Sequence, residues 1–528
     1  MKKLTEIFLV VGILVFAGLI YLYKLDVIPS GFYVDEAVVA YNAYSILETG
    51  KDAFGQQYPV LFRLLGSYTP GLFVYTSALA IKLIGYQITT FRLLSAISAL
   101  VSVVFFYLFI KKLKIYSSER SYVITTLFYA ISPWLTFNAR LGYEVTLAFT
   151  LFNIGVYFLL LALDKPKNYI YSFVFFSLAT YTAHTQRFLV PIFCIFCLII
   201  FRKIILKKSN FKYLFLAGVT TLLLQIPHLT VLNTPAFWVK NQRLIEGGRI
   251  IQNIINQTLS YLSNKNLFYE LGDIDAQHTI PGISVMYNWM TLPFMVGLFI
   301  LVSRIKERNI KFLLLLFVTS LIPAVLSGEF ISIQRALPFL LPLMIVIGLG
   351  IDYFVKKLPV LSTMTLILLL PLSLLLLYRS YFVLFPIERS SGWNFGYDKL
   401  ADYIRVNADK NYMVDNSRNP RNYILLLYHL KYPPEIYQGE VDPKYKTDYY
   451  HSLPPENSYK FSKIEVREIS WETDPCKEQI IVGDPLTISD GQAKEHKLEK
   501  QFEIKDILGK PIYIGFKTNP QLKCKSVE

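Results

Sequence analysis

The chain contains a series of apolar runs, each close to the length that crosses a lipid bilayer as a helix. A transmembrane helix needs about 20 apolar residues, and a spanning backbone must satisfy its hydrogen bonds internally. About eleven runs approach this length, at residues 7–23, 92–110, 121–138, 145–163, 170–186, 188–206, 213–231, 287–303, 312–327, 336–354 and 359–378. With 53% hydrophobic residues, the sequence predicts an α-helical polytopic membrane protein that contacts membrane lipids.

Basic residues are concentrated in alternate loops between these runs. They lie at residues 2–3, 111–120, 165–167, 202–212, 304–311 and 356–357. Because Lys and Arg in short loops stay cytoplasmic, this pattern predicts a cytoplasmic N-terminus and an extracytoplasmic C-terminus in the cytoplasmic membrane. The net charge of +15 is therefore a topology signal, and it does not indicate nucleic-acid binding. A cleaved signal peptide is the alternative for the first run, but no small-residue cleavage site follows it.

Three polar segments lie outside the predicted spans, all on the extracytoplasmic side. The prediction is a membrane domain over residues 1–378, with extracytoplasmic loops at 24–91 and 232–286, followed by a soluble domain at 379–528. Residues 37–47 and 72–84 of the first loop are typical of helices at the membrane surface. The C-terminal segment alternates helical patterns (396–408, 421–430) with strand patterns (412–414, 479–482, 501–504, 511–516), which predicts an α/β domain.

The four cysteines fall into two pairs. Cys194 and Cys197 lie within one apolar run, where their C-x-x-C spacing is a weak metal or redox signal because no partner ligands are near. Cys476 and Cys524 lie in the predicted extracytoplasmic domain, an oxidising location, which favours a disulfide between them. Two unpaired thiols are the alternative if the surroundings are reducing.

Arginines at the outer ends of spans break the alternation of basic loops. Arg140, Arg187 and Arg335 are expected to face a polar cavity or an anion, and arginine binds phosphate well. The alternatives are snorkelling to lipid headgroups and, for Arg140, a helical pair with Glu144.

An acid pair, Asp35 and Glu36, follows the first apolar run. Carboxylates at a membrane edge are candidates for acid–base chemistry. Alternatively, two acids in the first turn of a helix complement its dipole, which stabilises the helix by about 0.3–1 kcal/mol each.

The acid pair lies in a stretch that resembles the first outer loop of the dolichyl-phosphate-mannose protein mannosyltransferase family, a group of GT-C glycosyltransferases that includes the lipid A aminoarabinose transferases. The resemblance covers residues 1–440 and rests on residues 29–37, 41–43, 49–55, 68–70, 91–95, 132–134, 140, 181, 187, 191, 272–273, 278, 282, 322–324 and 335. It departs from the family at Tyr68-Thr69-Pro70-Gly71, where the aminoarabinose transferases carry Glu-Lys-Pro and the eukaryotic mannosyltransferases carry His-Pro-Pro.

The resemblance implies inverting transfer of a sugar from a polyprenyl-phosphate carrier to an acceptor on the extracytoplasmic side. Asp35 is the implied base, with Glu36 beside it as the second catalytic acid. The implied ligands of the donor phosphate are Arg140, Arg187 and Arg335, and the residues expected to line the site are Tyr68, Asp273 and His278. No metal or other cofactor is expected, because a carrier monophosphate can leave with arginine support.

The acceptor stays open between a protein hydroxyl, a glycolipid and a cell-envelope glycan. A transporter or flippase of lipid-linked sugars is the alternative function, although transporters usually carry acids, broken helices or repeats near mid-membrane. A receptor is a third possibility, for which one span would suffice.

Overall fold

The chain folds into a helical bundle followed by a domain built on a mixed sheet. The computed structural model describes residues 3–64, 66–238, 250–271, 277–327, 331–419, 421–451, 453 and 458–524. The helices up to the end of the bundle are α1 Lys3–Leu22, α2 Val34–Thr49, α3 Leu72–Ile84, α4 Ile88–Leu113, α5 Glu119–Ala130, α6 Pro133–Asn138, α7 Val145–Ala162, α8 Asn168–Thr180, α9 His184–Ile205, α10 Phe211–Val231, α11 Pro235–Trp238, α12 Ile250–Leu262, α13 Thr291–Ser303, α14 Arg308–Thr319, α15 Ile322–Val325, α16 Leu340–Lys357, α17 Pro359–Leu377 and α18 Phe385–Glu388.

Within these described ranges, eight helical segments are long and apolar enough to cross a membrane. They are Leu4–Leu22, Ile88–Leu113, Val145–Ala162, His184–Ile205, Lys208–Val231, Arg308–Val325, Leu337–Lys357 and Pro359–Glu388. The prediction of a helical polytopic membrane protein is confirmed, and these segments coincide with eight of the predicted runs.

The three remaining runs form shorter helices, so the predicted number of about eleven spans stays a prediction. The run at 121–138 divides into α5 and α6, because Ser132 caps a new helix that has Pro133 at its start. The run at 170–186 forms α8, which has 13 residues, and the run at 287–303 is also short.

Close packing of α13 against α16 forms part of the buried centre of the bundle. A Cβ atom on Gly297 would collide with the Val346 carbonyl oxygen, and one on Gly350 would collide with the Pro293 carbonyl oxygen. Small residues at such crossings let helix backbones approach closely in a membrane protein.

The first loop contains two helices and a hairpin. The helices predicted at 37–47 and 72–84 are confirmed as α2 and α3. Between them, β1 (Leu61–Leu64) pairs antiparallel with β2 (Ser67–Pro70), which the sequence does not predict.

The C-terminal domain contains a six-stranded sheet in the order β4-β5-β3-β6-β8-β7. Its strands are β3 Tyr412–Asp415, β4 Tyr459–Phe461, β5 Ile464–Arg467, β6 Ile480–Gly483, β7 Glu499–Lys505 and β8 Pro511–Lys517, and its helices are α19 Tyr397–Val406, α20 Tyr423–His429, α21 Pro434–Glu440, α22 Asp490–Glu495 and α23 Pro520–Cys524. The central strand β3 is parallel to β5 and β6, whereas the outer pairs are antiparallel.

The α/β domain and its four predicted strands are therefore confirmed, and the short strands β4 and β5 are additional. The last apolar helix continues beyond the predicted boundary at residue 378, through a π-helical segment at 378–384 to α18. Domain residues thus begin near Ser391, where a short 3₁₀ turn leads toward α19.

A disulfide joins Cys476 to Cys524, with their Cα atoms 5.8 Å apart. It attaches α23, at the end of the described chain, to the turn that precedes β6. Cys194 and Cys197 lie in α9 as free thiols.

We predict that thiol labelling of unreduced, denatured protein from the membrane modifies only the two free cysteines, Cys194 and Cys197. Reduction should make Cys476 and Cys524 available as well. The bridge spans 48 positions, and closing such a loop stabilises the domain by about 4 kcal/mol on the chain-entropy estimate. Labelling of all cysteines before reduction would contradict the bridge, and Cys476→Ser, which releases Cys524, calibrates the assay.

Candidate active site

Glu36 forms a fully buried ion pair with Arg92 at the start of α2. Arg92 donates through Nε to Glu36 Oε1 and through Nη2 to Oε2, both at 3.0 Å, and neither side chain is exposed. The backbone N–H of Gly142 donates to Oε1 at 2.6 Å, and that of Tyr33 donates to Oε2 at 3.1 Å. These donors satisfy both carboxylate oxygens, as buried charges require.

Arg92 also fixes the turn that enters α2. Its remaining N–H groups donate to the carbonyls of Leu25 and Pro29, at 3.1 Å each, and of Gly31, at 2.7 Å. Glu36 is thus held by four donors and is inaccessible, which does not fit its predicted catalytic role. We assign it a structural role, because four donors already occupy its carboxylate oxygens.

Close approach makes glycine necessary at position 142. A Cβ atom there would lie 2.9 Å from Phe91 Cβ and 3.0 Å from Glu36 Oε1. Such separations are tighter than ordinary van der Waals contact, so a side chain would push the loop after α6 away from the ion pair.

Asp35, in contrast, is only half-buried. Neighbouring residues of a helix point about 100° apart, so Asp35 faces a different direction from Glu36. Burial raises the pKa of Tyr143 well above its usual value, and the charges of nearby Tyr33 and Asp35 raise it further. Asp35 and the Tyr143 phenol therefore interact electrostatically.

Aromatic rings form a wall beside this carboxylate. The Tyr33 ring lies 5.3 Å from His278, 5.2 Å from Trp393 and 6.3 Å from Tyr143, between ring centroids. The Tyr33 hydroxyl donates to the Gln277 side chain at 3.1 Å. The structure thus places the predicted lining residue His278 at the site. Asp273, the other residue predicted from this loop, lies outside the described residues.

Arg335 lies in the segment before α16. The adjacent Gln334 side chain donates to the Tyr143 hydroxyl. The Arg335 side chain is half-buried, and its Nη1 lies 3.5 Å from the Ser327 carbonyl oxygen. Among the arginines predicted to bind phosphate, Arg335 is the one whose chain neighbour contacts the Tyr143 hydroxyl, and its role in binding phosphate stays a prediction.

Arg140 is placed differently from its prediction. Its Nη1 donates to the carbonyls of Ile20 and Tyr21, at 2.9 and 2.7 Å, and its Nη2 donates to those of Tyr23 and Ile28, at 2.7 and 3.0 Å. These oxygens belong to the last turn of α1 and the turn after it, where a helix leaves carbonyls unpaired. The guanidinium is fully buried, so Arg140 caps a helix and is not available to a phosphate.

Arg187 lies at the start of α9 and is half-buried. Its guanidinium is 4.4 Å from the Phe237 ring, and its Nη2 is 3.5 Å from His228 Nε2. Within the described part of the chain, its Nε and Nη1 have no hydrogen-bond partner. None of these contacts joins Arg187 to the Asp35 cluster, so its predicted role in binding phosphate stays a prediction.

Tyr68 joins the first loop to the C-terminal domain. Its hydroxyl donates to the Tyr449 carbonyl, and the Tyr449 hydroxyl donates to Asp52. Arg63 donates to the carbonyls of Tyr445 and Tyr449, at 2.5 and 3.3 Å. Burial raises the pKa of Asp52 to about 6. This buried position differs from the predicted site-lining role of Tyr68.

Arg92, Tyr143, Gln334 and Trp393 contact the acid pair or the aromatic wall, although no role for them is predicted from the sequence. Arg92 carried a detectable signal, because it is a charged residue in the first turns of a long apolar helix, where charge is costly unless it is paired. The other three carry no comparable signal, since aromatic and amide side chains are common at membrane edges.

We predict that Arg140→Ala lowers the free energy of unfolding by at least about 3 kcal/mol, because it leaves several buried carbonyls without a hydrogen-bond donor. Lys112→Ala is the control, since Lys112 forms a partly exposed pair with Asp164 and surface pairs contribute less than about 1 kcal/mol. Unfolding in detergent should show the difference. Equal stability of the two variants would contradict the capping role of Arg140.

Comparisons with known proteins agree with this architecture. Residues 69–230 match the model of the dolichyl-phosphate-mannose-protein mannosyltransferase family. The fold is similar to that of ArnT from Cupriavidus metallidurans bound to undecaprenyl phosphate, with a TM-score of 0.54 at 12% identity over 96% of this chain and 97% of that chain.

It is also similar to the oligosaccharyltransferase of Archaeoglobus fulgidus tethered with an acceptor peptide, with a TM-score of 0.54 at 11% identity over 97% of this chain and 74% of that chain. No curated protein sequence matches the chain significantly. The chain is therefore similar to the dolichyl-phosphate-mannose-protein mannosyltransferase family over residues 69–230, and its fold as a whole is similar to those of ArnT and the archaeal oligosaccharyltransferase.

Proposed function

We propose that the protein transfers a sugar, with inversion, from a polyprenyl-phosphate carrier to a hydroxyl acceptor, using Asp35 as the general base. The observation that carries this proposal is the contrast within the acid pair. Glu36 is immobilised by Arg92 and inaccessible, whereas the adjacent Asp35 is half-exposed beside the Tyr33 wall.

Inverting transfer is a single displacement, which requires one base within hydrogen-bond reach of the acceptor hydroxyl. A retaining mechanism would require a second carboxylate as nucleophile, about 5–5.5 Å from the first. Glu36 cannot supply that nucleophile because its oxygens are occupied by the Arg92 guanidinium and two backbone N–H groups.

The donor is proposed to be a lipid monophosphate sugar. The similar ArnT structure contains undecaprenyl phosphate, which supports a carrier of this chemical class. As the sugar leaves, negative charge develops on the carrier phosphate, and a guanidinium can stabilise that charge without a metal. Arg335 is the proposed donor of this stabilisation because its chain neighbour Gln334 donates to the Tyr143 hydroxyl beside the site.

The site is proposed to face the extracytoplasmic side. Helix α4 carries Arg92 near its beginning and Lys111 and Lys112 in its last turn. A helix of 26 residues is about 39 Å long, so the site and the basic loop lie on opposite sides of a bilayer. Basic loops stay cytoplasmic, which supports an extracytoplasmic active site in the cytoplasmic membrane.

Asp35→Asn should reduce transfer at least about 10²-fold, because the amide keeps the size of the side chain but cannot accept the proton. Glu48→Gln is the matched control, since Glu48 is exposed near the other end of the same helix. Purified protein is supplied with a panel of radiolabelled polyprenyl-phosphate hexoses and a membrane extract as acceptor source, and release of polyprenyl phosphate is measured. Normal turnover by Asp35→Asn would sink the proposed mechanism, and transport of the donor without cleavage would favour a flippase.

Arg335→Gln should lower kcat/KM for the same donor about tenfold or more, the value of one charge-assisted hydrogen bond. Lys112→Ala should leave this parameter unchanged, because Lys112 lies at the far end of α4. If both variants lose donor use equally, Arg335 has no special contact with the phosphate.

A further inference from the structure

A cavity of about 660 Å³ separates the C-terminal domain from the start of α2. One side is formed by the ends of β3 and β6, including Asp415 and Asp484. The other side is formed by Tyr33 and Val34, which directly precede the proposed base. This volume lies within the range of about 300–1,000 Å³ that is typical of small-molecule sites.

The topology of the sheet explains why a cavity opens at this edge. Strands β3 and β6 are parallel neighbours, and both end at the cavity. After β3 the chain continues to β4 and β5 on one side of the pair, and after β6 it continues to β7 and β8 on the other side. The loops that follow the two strands therefore diverge, which creates the crevice where open α/β sheets bind ligands.

The polar groups of the cavity are balanced in charge. Arg418 pairs with Asp484 at 3.2 Å, and the Asp415 carboxylate accepts from the backbone N–H groups of Ser417 and Ile469, at 3.0 and 3.1 Å. The positive charge of the exposed Arg421 balances the negative charge of Asp415. A neutral polar ligand suits this balance better than a strongly charged one.

Side-chain amides and aromatic rings supply further contacts. Asn419 and Asn422 line the cavity together with the rings of Tyr33 and Tyr513. A side-chain amide offers a donor and an acceptor, and a carboxylate offers two acceptor oxygens, which together match the adjacent hydroxyls of a sugar. Aromatic rings present flat apolar surfaces with polar tips, which suit the faces of a sugar ring.

We propose that this cavity binds a neutral saccharide portion of the acceptor and presents its terminal hydroxyl to Asp35. The proposal rests on the proposed function and names the acceptor class of that site. The occupant would extend from the ends of β3 and β6 past Tyr33 and Val34, one residue from the base. A peptide is less suitable, because extended peptides pair with an open strand edge, whereas this cavity is bounded by strand ends.

Binding to the full-length protein in lipid nanodiscs tests this proposal without the donor. The probes are defined neutral gluco-, manno- and galacto-oligosaccharides. Their binding is measured by saturation-transfer NMR and by titration. Ser391→Trp places a large ring at the exposed mouth of the cavity, and Arg418→Ala removes the pair with Asp484. Ser458→Trp is the matched control, since Ser458 is exposed and does not line the cavity.

We expect at least one saccharide to bind, and both cavity variants to weaken it about tenfold or more, a loss equal to one good polar contact. Ser458→Trp should bind as the unmodified protein does. If no saccharide in the panel binds, or if both cavity variants bind normally, the proposal is overturned, as it is if only a hydroxyl-bearing peptide competes for the cavity. Saccharide binding without transfer would refute the proposed function alone, and transfer without saccharide binding would refute this inference alone.

Discussion

The buried pair between Glu36 and Arg92 is the interaction on which the rest of the site depends. Removing one partner of such a pair costs about 3–5 kcal/mol, because the remaining charge stays buried and unpaired. The pair joins α4 to α2, and it forms hydrogen bonds with the turn before α2 and with the loop after α6. It therefore sets the position and direction of the first turn of α2, and with them the position of Asp35.

Three buried arginines connect segments that are distant in the sequence. Arg140 holds the end of α1, Arg92 holds the start of α2, and Arg63 holds the first loop against the C-terminal domain. Each donates to backbone carbonyls that would otherwise be unpaired in an apolar environment, where such groups are costly. Arginine suits this use because its planar fork carries several donors and stays charged. An arginine at a membrane edge is therefore weak evidence of an anion site until its partners are known.

The C-terminal domain packs closely against the first loop. A Cβ atom on Gly31, which has a φ of +97°, would collide with the Trp393 carbonyl oxygen. The Phe32 ring lies 4.4 Å from that of Tyr428, and Tyr33 lies against Trp393. These contacts place the cavity at the ends of β3 and β6 beside the proposed base. One architecture thus combines a membrane-edge carboxylate with a polar crevice on a separate sheet.

Local patterns in the sequence determined the membrane bundle, the helices of the first loop, four strands of the C-terminal sheet and the cysteine pair. Each depends on hydrophobic period, charge placement or compartment, which neighbouring residues encode. The roles of Glu36 and Arg140 were decided only by tertiary structure. Arg140 lies 120 positions from Ile20, and Glu36 lies 56 positions from Arg92. Residue type shows that a guanidinium needs acceptors, but only the packing of distant segments decides whether backbone carbonyls, a carboxylate or a ligand supplies them.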